Sequence, residues 1–301
     1  ADFNNGDPVS NGISIELNKR TITENPVLIA KVIEEGGKKI GYLMYNQFVR
    51  NFDGNLNAAF AYFKSENIDE LIVDLRYNPG GSTSSATYLA SMITGQYNNE
   101  VFSIEQWNQK VTDALGSESF VNRFTNQIRN VDSNGEVLLD AEINSLSLNS
   151  AYFIVSNNSA SASELVINGL SSYIDVHLIG TQTVGKQVGS ITLYDSENLL
   201  RTGNNFNQNH TYAMQPIVFE ITNKDGENDA SGYIPGVSLP GVQIARDYEN
   251  MGQLGERSDP ILARTLDYIL TGSKGTMDKK SEITQEEVFS SKLASPLKDN
   301  M

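Results

Sequence analysis

Three serines alternate with small residues in one short stretch of this chain, and a lysine follows 25 positions after the middle serine. The stretch is residues 159–164, with the sequence S-A-S-A-S-E, and the lysine is Lys186 in T-V-G-K. The run between them suits a helix followed by a strand. A hydroxyl and a neutral amine in one cleft are the minimum equipment of a Ser-Lys hydrolase. Whether the fold brings the hydroxyl and the amine together depends on the rest of the chain.

The residues around Ser161 allow two interpretations of this serine. With Glu164 three positions later it forms a capping box, which is common at helix starts. A serine at that point also sits where free N–H groups and the helix dipole favour a developing oxyanion. In that case the N–H of Ala162 points into the site.

Lys186 is equally consistent with a surface lysine in a flexible glycine loop. To act as a general base it has to lose its proton near neutral pH, which requires desolvation or a nearby positive helix end. The apolar run that leads to Val184 and Gly185 is compatible with burial. Both interpretations of Lys186 stay open at this point.

A second glycine-rich turn, N-P-G-G at residues 78–81, follows the apolar run of residues 71–75. It is either a tight turn after a strand or a place where backbone N–H groups approach a ligand closely. Because it also opens a predicted helix, its glycines Gly80 and Gly81 are further candidate oxyanion donors.

Composition excludes several classes of function. The 301 residues carry a formal net charge of −15, which argues against nucleic acids and anionic membrane surfaces as partners. The absence of cysteine excludes disulfides, thiolate catalysis and cysteine zinc sites. The sequence has no H-E-x-x-H motif, and no apolar run reaches the roughly 18 residues of a membrane span. No cofactor is predicted.

Competing catalytic motifs are weaker. The G-x-S-x-G elbow of α/β-hydrolases is absent. An S-x-x-K at residues 295–298 lies in a polar tail without strand context, and we attribute it to chance. His177 is predicted to be a core or sheet residue and His210 a solvated loop residue. A Ser-His arrangement with either one stays open.

The order strand, Gly/Ser turn, helix occurs twice, at residues 71–94 and 151–173. Such alternation predicts an α/β fold with parallel pairing. Further helices are predicted at residues 56–65 and, after the cap Asp259 and Pro260, up to about residue 270. Residues 175–179 are predicted to be a strand.

The remaining segments are less periodic. Residues 96–147 are predicted to form one or two helices, inserted over the core. Residues 190–222 are predicted to be β-rich and residues 223–258 to be loop. Strands are predicted at residues 13–17 and 27–33. They belong either to a module whose beginning is missing or to the main sheet.

Three motifs together resemble the C-terminal processing (tail-specific) serine peptidases. They are D-L-R-Y-N-P-G-G at residues 74–81, S-A-S-A-S-E at 159–164, and G-K at 185–186. The resemblance implies that Ser161 is the nucleophile and Lys186 the base. It also implies an oxyanion hole formed by the amides of Ala162 and of Gly80 or Gly81. Ser190, four residues after the lysine, is the possible partner of the dyad.

The resemblance further implies a crotonase/Clp-like core of stacked ββα units. Residues 1–38 would then hold N-terminal strands, either a partial PDZ-like module or a linker. Residues 39–272 would form the peptidase core, and residues 273–301 a polar tail. Because the chain opens with Ala1 rather than Met, we expect that an upstream segment has been removed. The family implies export to the periplasm or cell envelope.

The predicted function is a serine endopeptidase that cleaves polypeptides near their C-termini or in unfolded segments. The alternative is a catalytically weak or inactive peptide-binding relative of the same fold, which the serine at position 190 favours. A third interpretation, a crotonase-type acyl-transfer enzyme, lacks the basic cleft that a CoA phosphate needs.

Overall fold

The computed structural model describes residues 2–4, 7–10, 12–16, 18, 22–132, 135–247 and 250–272. Within them the helices are α1 (Asp53–Glu66), α2 (Thr83–Thr94), α3 (Gln109–Leu115), α4 (Ala162–Ser171) and α5 (Pro260–Thr271). The strands are β1 (Asp2–Asn4), β2 (Asp7–Val9), β3 (Val27–Glu35), β4 (Lys38–Tyr45), β5 (Glu70–Asp74), β6 (Val101–Trp107), β7 (Val121–Arg123), β8 (Gln127–Val131), β9 (Val137–Glu142), β10 (Ser150–Val155), β11 (Asp175–Gly180), β12 (Val188–Ser190), β13 (Leu193–Tyr194), β14 (Ala213–Met214), β15 (Ile217–Thr222) and β16 (Gly241–Gln243).

Six strands form the central sheet, in the order β16-β11-β10-β5-β4-β3. Neighbours from β16 to β4 are parallel, and β3 lies antiparallel to β4 at the edge. Parallel neighbours need a crossover connection. Helix α1 supplies it between β4 and β5, and α4 supplies it between β10 and β11. The predicted α/β class is confirmed.

The two faces of the sheet bury their side chains against different helices. In β5, Leu71 and Val73 belong to the cluster with α1, α2 and α4, whereas Ile72 belongs to the cluster with α5. This is the alternation of a strand covered on both sides. Burial of side chains of this size contributes roughly 1.5–3 kcal/mol each. The sheet is therefore a middle layer between helices.

Both turns that carry the candidate site lie at one edge of this sheet. The turn at residues 78–81 follows β5, and the turn at residues 159–164 follows β10. The two strands are parallel neighbours, with Asp74 opposite Ile154. Parallel neighbouring strands have their carboxyl ends at the same end of the sheet, so the two turns lie side by side.

The prediction of helices for residues 96–147 is wrong. The segment holds β6, β7, β8 and β9, and its helical parts are α3 and a 3-10 turn at Ser117–Phe120. Strands β6 and β7 join β12 and β15 in a second, four-stranded sheet. Phe120, Phe124 and Ile128 have helix-like spacing and are all buried, but they belong to different local structures. Phe120 ends the 3-10 turn, Phe124 lies outside the helices and strands, and Ile128 belongs to β8. Pairing with distant strands outweighs this local periodicity.

The predicted strand at residues 13–17 is also wrong for its described part. Residues 13–16 form no strand, and Ile13 and Ile15 are exposed. Leu17 lies outside the described residues. Alternation of apolar and polar residues predicts a half-buried strand only where a partner strand is present.

The strand predicted at residues 27–33 is confirmed as β3. It pairs with β4 in an antiparallel hairpin that runs from Val27 opposite Tyr45 to Glu35 opposite Lys38. Of the two alternatives for this strand, the structure therefore favours the main sheet. The domain boundary predicted after residue 38 falls inside the hairpin.

The predicted helix after Asp259 is confirmed as α5. Asp259 Oδ1 accepts hydrogen bonds from the N–H groups of Ile261 (2.9 Å) and Leu262 (3.4 Å), and Pro260 occupies the first helical position. Both features stabilise a helix start. The loop predicted at residues 223–258 contains one strand, β16, which the sequence pattern does not reveal.

The polar tail predicted at residues 273–301 lies outside the described residues. Within the described part of the chain, none of the helices combines the length and the hydropathy that a membrane span requires.

Candidate active site

Ser161 lies where the chain turns into α4. Its backbone has φ 56° and ψ −115°, a conformation that residues with a side chain rarely adopt. Strain of this kind persists where the surroundings hold it, and it is typical of active sites. Ser161 is partly exposed at the start of the helix. Its N–H donates to Glu164 Oε2 at 3.0 Å, which is the glutamate half of the predicted capping box.

The other two serines of the S-A-S-A-S run have structural roles. Ser159 Oγ donates to the carbonyl of Leu75 at 2.8 Å, and Ser163 Oγ donates to the carbonyl of Asn78 at 2.9 Å. Both serines are fully buried. They join the turn before α4 to the turn after β5. Of the three hydroxyl-bearing residues, the partly exposed one is Ser161.

The N-P-G-G turn packs directly against Ser161. A Cβ on Gly80, whose φ is +105°, would lie 2.7 Å from Ser161 Cβ and 2.9 Å from the nitrogen of Ala162. Real Cβ atoms do not approach other atoms so closely, so glycine is required here. Asn78 holds the turn, since its side chain donates to the carbonyl of Tyr45 at 2.8 Å.

The available amides at this point are those of Ala162 and Gly81. Gly80 N–H already donates to Asn78 Oδ1 at 2.9 Å. Among the residues that the structure describes, no group accepts a hydrogen bond from the N–H of Gly81 or of Ala162. Ala162 is the first residue of α4, where the helix leaves N–H groups without an internal partner. Two free donors near a serine are what an oxyanion site needs.

A buried carboxylate links the candidate nucleophile to the lysine loop. Glu164 is fully buried, and its Oε2 accepts from the N–H groups of Ser161 (3.0 Å) and Lys186 (2.8 Å). Its Oε1 accepts from the hydroxyl of Thr183 and the N–H of Gly185, both at 2.6 Å. Four donors satisfy the four acceptor positions of an ionised carboxylate. Glu164 therefore fixes both backbones at once.

Sequence reasoning treated Glu164 as a helix cap and missed this role. The available signal was a carboxylate in the first turn of an otherwise apolar helix. When such a carboxylate is buried, it must accept hydrogen bonds from several donors.

Lys186 is partly buried, and its main chain is held by Glu164. Among the described residues, its ammonium makes no ion pair and no hydrogen bond, including none with Ser161 Oγ. Ser190, the predicted partner, is an exposed residue of β12 opposite Ile217. The structure thus brings the backbones of Ser161 and Lys186 to one carboxylate, without a hydrogen bond between their side chains.

A buried ion cluster supports the N-P-G-G turn and was missed in the sequence. Arg76 Nη2 lies 2.7 Å from Asp74 Oδ2 and 2.8 Å from Asp259 Oδ2. Tyr42 donates its hydroxyl to Asp74 at 2.7 Å. Burial lowers the pKa of Arg76, but the two carboxylates raise it by more, so the net shift is upward. The cluster ties the end of β5 to the start of α5.

Neither histidine contacts Ser161 within the described part of the chain. His177 stacks on Tyr152 and its Nδ1 lies 3.2 Å from the hydroxyl of Tyr268. His210 Nε2 lies 3.2 Å from Asp195 Oδ2 in an exposed loop. The Ser-His alternative therefore has no geometric support.

The model of peptidase family S41 matches residues 39–214, which is more than half of the chain. Among curated proteins, the carboxyl-terminal-processing protease of Picosynechococcus sp. is 26% identical over 175 residues, or 58% of this chain and 35% of that protein. A CtpA-like serine protease of Staphylococcus epidermidis is 25% identical over 171 residues, covering 57% of this chain and 30% of its own length. The chain spans about a third of the length of these relatives.

Solved structures of similar fold agree with the family match. A chain assigned to the S41 proteases, from Bacteroides fragilis, superposes with a TM-score of 0.66 at 25% identity, over 84% of this chain and 59% of that chain. The photosystem II D1 C-terminal processing protease shares the fold, with a TM-score of 0.51 at 16% identity, over 85% and 55% of the two chains. The family match includes the N-P-G-G turn, Ser161 and Lys186. This chain therefore belongs to peptidase family S41.

Proposed function

We propose that this chain hydrolyses peptide bonds as a serine endopeptidase. Neutral Lys186 takes the proton of Ser161 Oγ as that oxygen attacks the scissile carbonyl. The amides of Ala162 and Gly81 stabilise the tetrahedral oxyanion. Lys186 then protonates the leaving amine, and a water molecule, activated in the same way, hydrolyses the acyl-enzyme.

The observation that supports this proposal most strongly is the shared carboxylate of Glu164. It accepts from the backbone N–H groups of Ser161 and Lys186, so the distance between the two backbones is set by one rigid group. Catalysis by a dyad depends on such fixed positioning. A chance surface lysine would not need a buried hydrogen-bond partner shared with the serine.

We expect Ser161→Ala and Lys186→Ala to abolish hydrolysis of an unstructured protein such as casein, with a loss of at least about 10³-fold. Exposed residues of the same types provide matched controls, Ser119→Ala and Lys224→Ala, and both should retain wild-type rates. Equal rates for wild type and Ser161→Ala would reject the dyad.

The second candidate function is peptide binding without hydrolysis. It is favoured by the missing hydrogen bond between Ser161 Oγ and Lys186 Nζ in the described structure, since a serine that is not activated is a weak nucleophile. A fluorophosphonate probe separates the two functions. Labelling of wild type but not of Ser161→Ala supports the peptidase, whereas peptide binding without labelling supports the binding protein.

We further propose that the substrates are unfolded polypeptides cut near their C-termini. The curated relative from Picosynechococcus carries the name carboxyl-terminal-processing protease, and the motifs of this chain resemble that family. The same proposal includes a crotonase/Clp-like core, export to the cell envelope, and a PDZ-like module that ends before β3, since β3 itself belongs to the central sheet. Comparing the hydrolysis of peptides that have free or amidated C-termini tests the proposed preference for cleavage near the C-terminus, because amidation removes the terminal charge.

A further inference from the structure

We propose that Thr183 is a positioning residue of the proposed dyad, held from the other side by residues 229–233. Within the described part of the chain, Thr183 makes no hydrogen bond to either candidate catalytic side chain, and it acts through Glu164. The expected effect of Thr183 on catalysis rests on the proposed function, whereas its effect on the position of the lysine loop can be measured separately.

The hydroxyl of Thr183 has a defined orientation. It donates to Glu164 Oε1 at 2.6 Å and accepts from the N–H of Tyr233 at 2.8 Å. A backbone N–H can only donate, so the single hydroxyl proton of Thr183 points to the carboxylate. Thr183 is buried, which makes both bonds costly to lose. The hydroxyl thus transmits the position of Tyr233 to Glu164.

The segment of residues 229–233 packs along the lysine loop over several contacts. Thr183 N–H donates to the carbonyl of Tyr233 at 3.1 Å, and Gln182 Nε2 donates to the carbonyl of Ser231 at 2.7 Å. A Cβ on Gly232 would lie 2.2 Å from the oxygen of Thr183. The ring of Tyr233 is buried in the core and anchors the segment.

This segment lies beyond the residues that the S41 family model matches, which end at residue 214. The lysine loop is therefore supported on one side by Glu164 of the matched region and on the other by residues 229–233. Loss of the Thr183 hydroxyl leaves Glu164 Oε1 with one donor and Tyr233 N–H without its acceptor. The carboxylate then holds the N–H groups of Gly185 and Lys186 less firmly.

The test compares Thr183→Val, Thr183→Ser and, as matched control, Thr181→Val. Val keeps the shape and removes the hydroxyl, Ser keeps the hydroxyl, and Thr181 has no side-chain hydrogen bond within the described residues. Amide hydrogen exchange of residues 184–187 is measured in each full chain. We expect exchange at least about 10-fold faster in Thr183→Val alone, in line with loss of hydrogen bonds to a buried charge. Unchanged exchange would overturn the positioning role.

On casein, Thr183→Val should lower kcat by at least about 10-fold with little change in KM, and Thr183→Ser should restore it. A KM effect alone would overturn the catalytic consequence. An inactive wild type would instead reject the proposed function, while hydrogen exchange would still decide the positioning.

A second pair of variants covers the case in which Thr183→Val does not fold. Gly232→Ala pushes a Cβ onto the oxygen of Thr183, whereas at Gly226, with a similar φ of +80°, a Cβ meets nothing within 4 Å. We expect faster exchange of residues 184–187 in Gly232→Ala and wild-type exchange in Gly226→Ala. Equal exchange in the two variants would count against support by residues 229–233.

Discussion

At the scale of single residues, the close approach of two backbones shapes the candidate site. Ser161 has a positive φ, and Gly80 leaves the space in which Ser161 and the N–H of Ala162 lie. The neighbouring serines, Ser159 and Ser163, use their hydroxyls to hold these two turns together. Ser161, the proposed nucleophile, is thus distinguished from its neighbours by exposure and backbone conformation rather than by residue type.

Gly80→Ala tests the close approach. The added Cβ would lie 2.7 Å from Ser161 Cβ, so either the turn or Ser161 has to move. We expect a loss of roughly 1–3 kcal/mol in the free energy of unfolding from strain and overpacking. We also expect a loss of about 10²-fold or more in labelling of Ser161 by a fluorophosphonate, because the oxyanion amides are displaced.

The control for this prediction is Gly116→Ala. Gly116 has a φ of +80°, but a Cβ there meets nothing within 4 Å. The variant therefore carries the backbone strain without the contact, and labelling of Ser161 should stay at the wild-type rate. A Gly80→Ala variant that labels as fast as Gly116→Ala would show that the close approach is dispensable.

At the scale of elements, the site depends on how the strand ends are joined to the helices that follow them. The cluster of Asp74, Arg76 and Asp259 joins the end of β5 to the start of α5 across the sheet edge. Asp259 also caps α5. One guanidinium therefore pairs with two buried carboxylates from separate elements. Removing it leaves both charges uncompensated, which is the costly way to break a buried ion pair.

We expect Arg76→Met to lower the free energy of unfolding by roughly 3–5 kcal/mol, measured by urea denaturation. The matched control is Arg257→Met, since Arg257 also bridges two carboxylates, Glu35 and Asp267, but is half-exposed. Solvent screening limits such surface pairs to about 1 kcal/mol or less. Similar losses in the two variants would contradict the role assigned to burial.

At the scale of the whole molecule, stability depends on the packing of α5 against the sheet. His177 of β11 lies in this layer, stacked on Tyr152 and in contact with Tyr268 of α5. Burial lowers the pKa of His177 from its ordinary value of 6.5, and the carboxylates of Asp175 and Glu70 oppose this shift more weakly. A histidine kept neutral in the fold links global stability to pH.

The sign of this pH dependence follows from proton binding. The unfolded chain protonates the histidine near pH 6.5 and the folded chain at lower pH. Between the two values the unfolded state binds more protons, so stability falls as the pH drops below 6.5. His177→Phe keeps the stacking and removes this contribution. We expect its free energy of unfolding to fall less steeply than that of wild type as the pH drops below about 6.5.

Urea denaturation at several pH values measures the effect. The chain has one other histidine, His210, and His210→Phe is the matched control because it also removes one imidazole. Comparing variants with wild type removes the contribution of other buried groups such as Asp53, whose pKa is raised by burial. Parallel pH curves for wild type and His177→Phe would contradict the prediction.

The sequence by itself determined the local units of the site. The order strand, small-residue turn, helix at β5–α2 and β10–α4 follows from apolar runs, glycines and caps, which act over a few residues. The same holds for Asp259 and Pro260 at the start of α5. Ser161 and Lys186 could be proposed because their motifs combine residue types that this chemistry needs.

Only the tertiary structure decided how these units meet. Trp107 of β6 lies opposite Phe219 of the distant strand β15, so the helix-like spacing of the aromatic residues within residues 96–147 was misleading. The link from Glu164 to Thr183, Gly185 and Lys186 joins residues about 20 positions apart, and the ion pair of Arg76 with Asp259 spans far more of the chain. Such contacts depend on which elements are neighbours in the sheet. Periodicity and capping carry no information about that, because they report only on nearby residues.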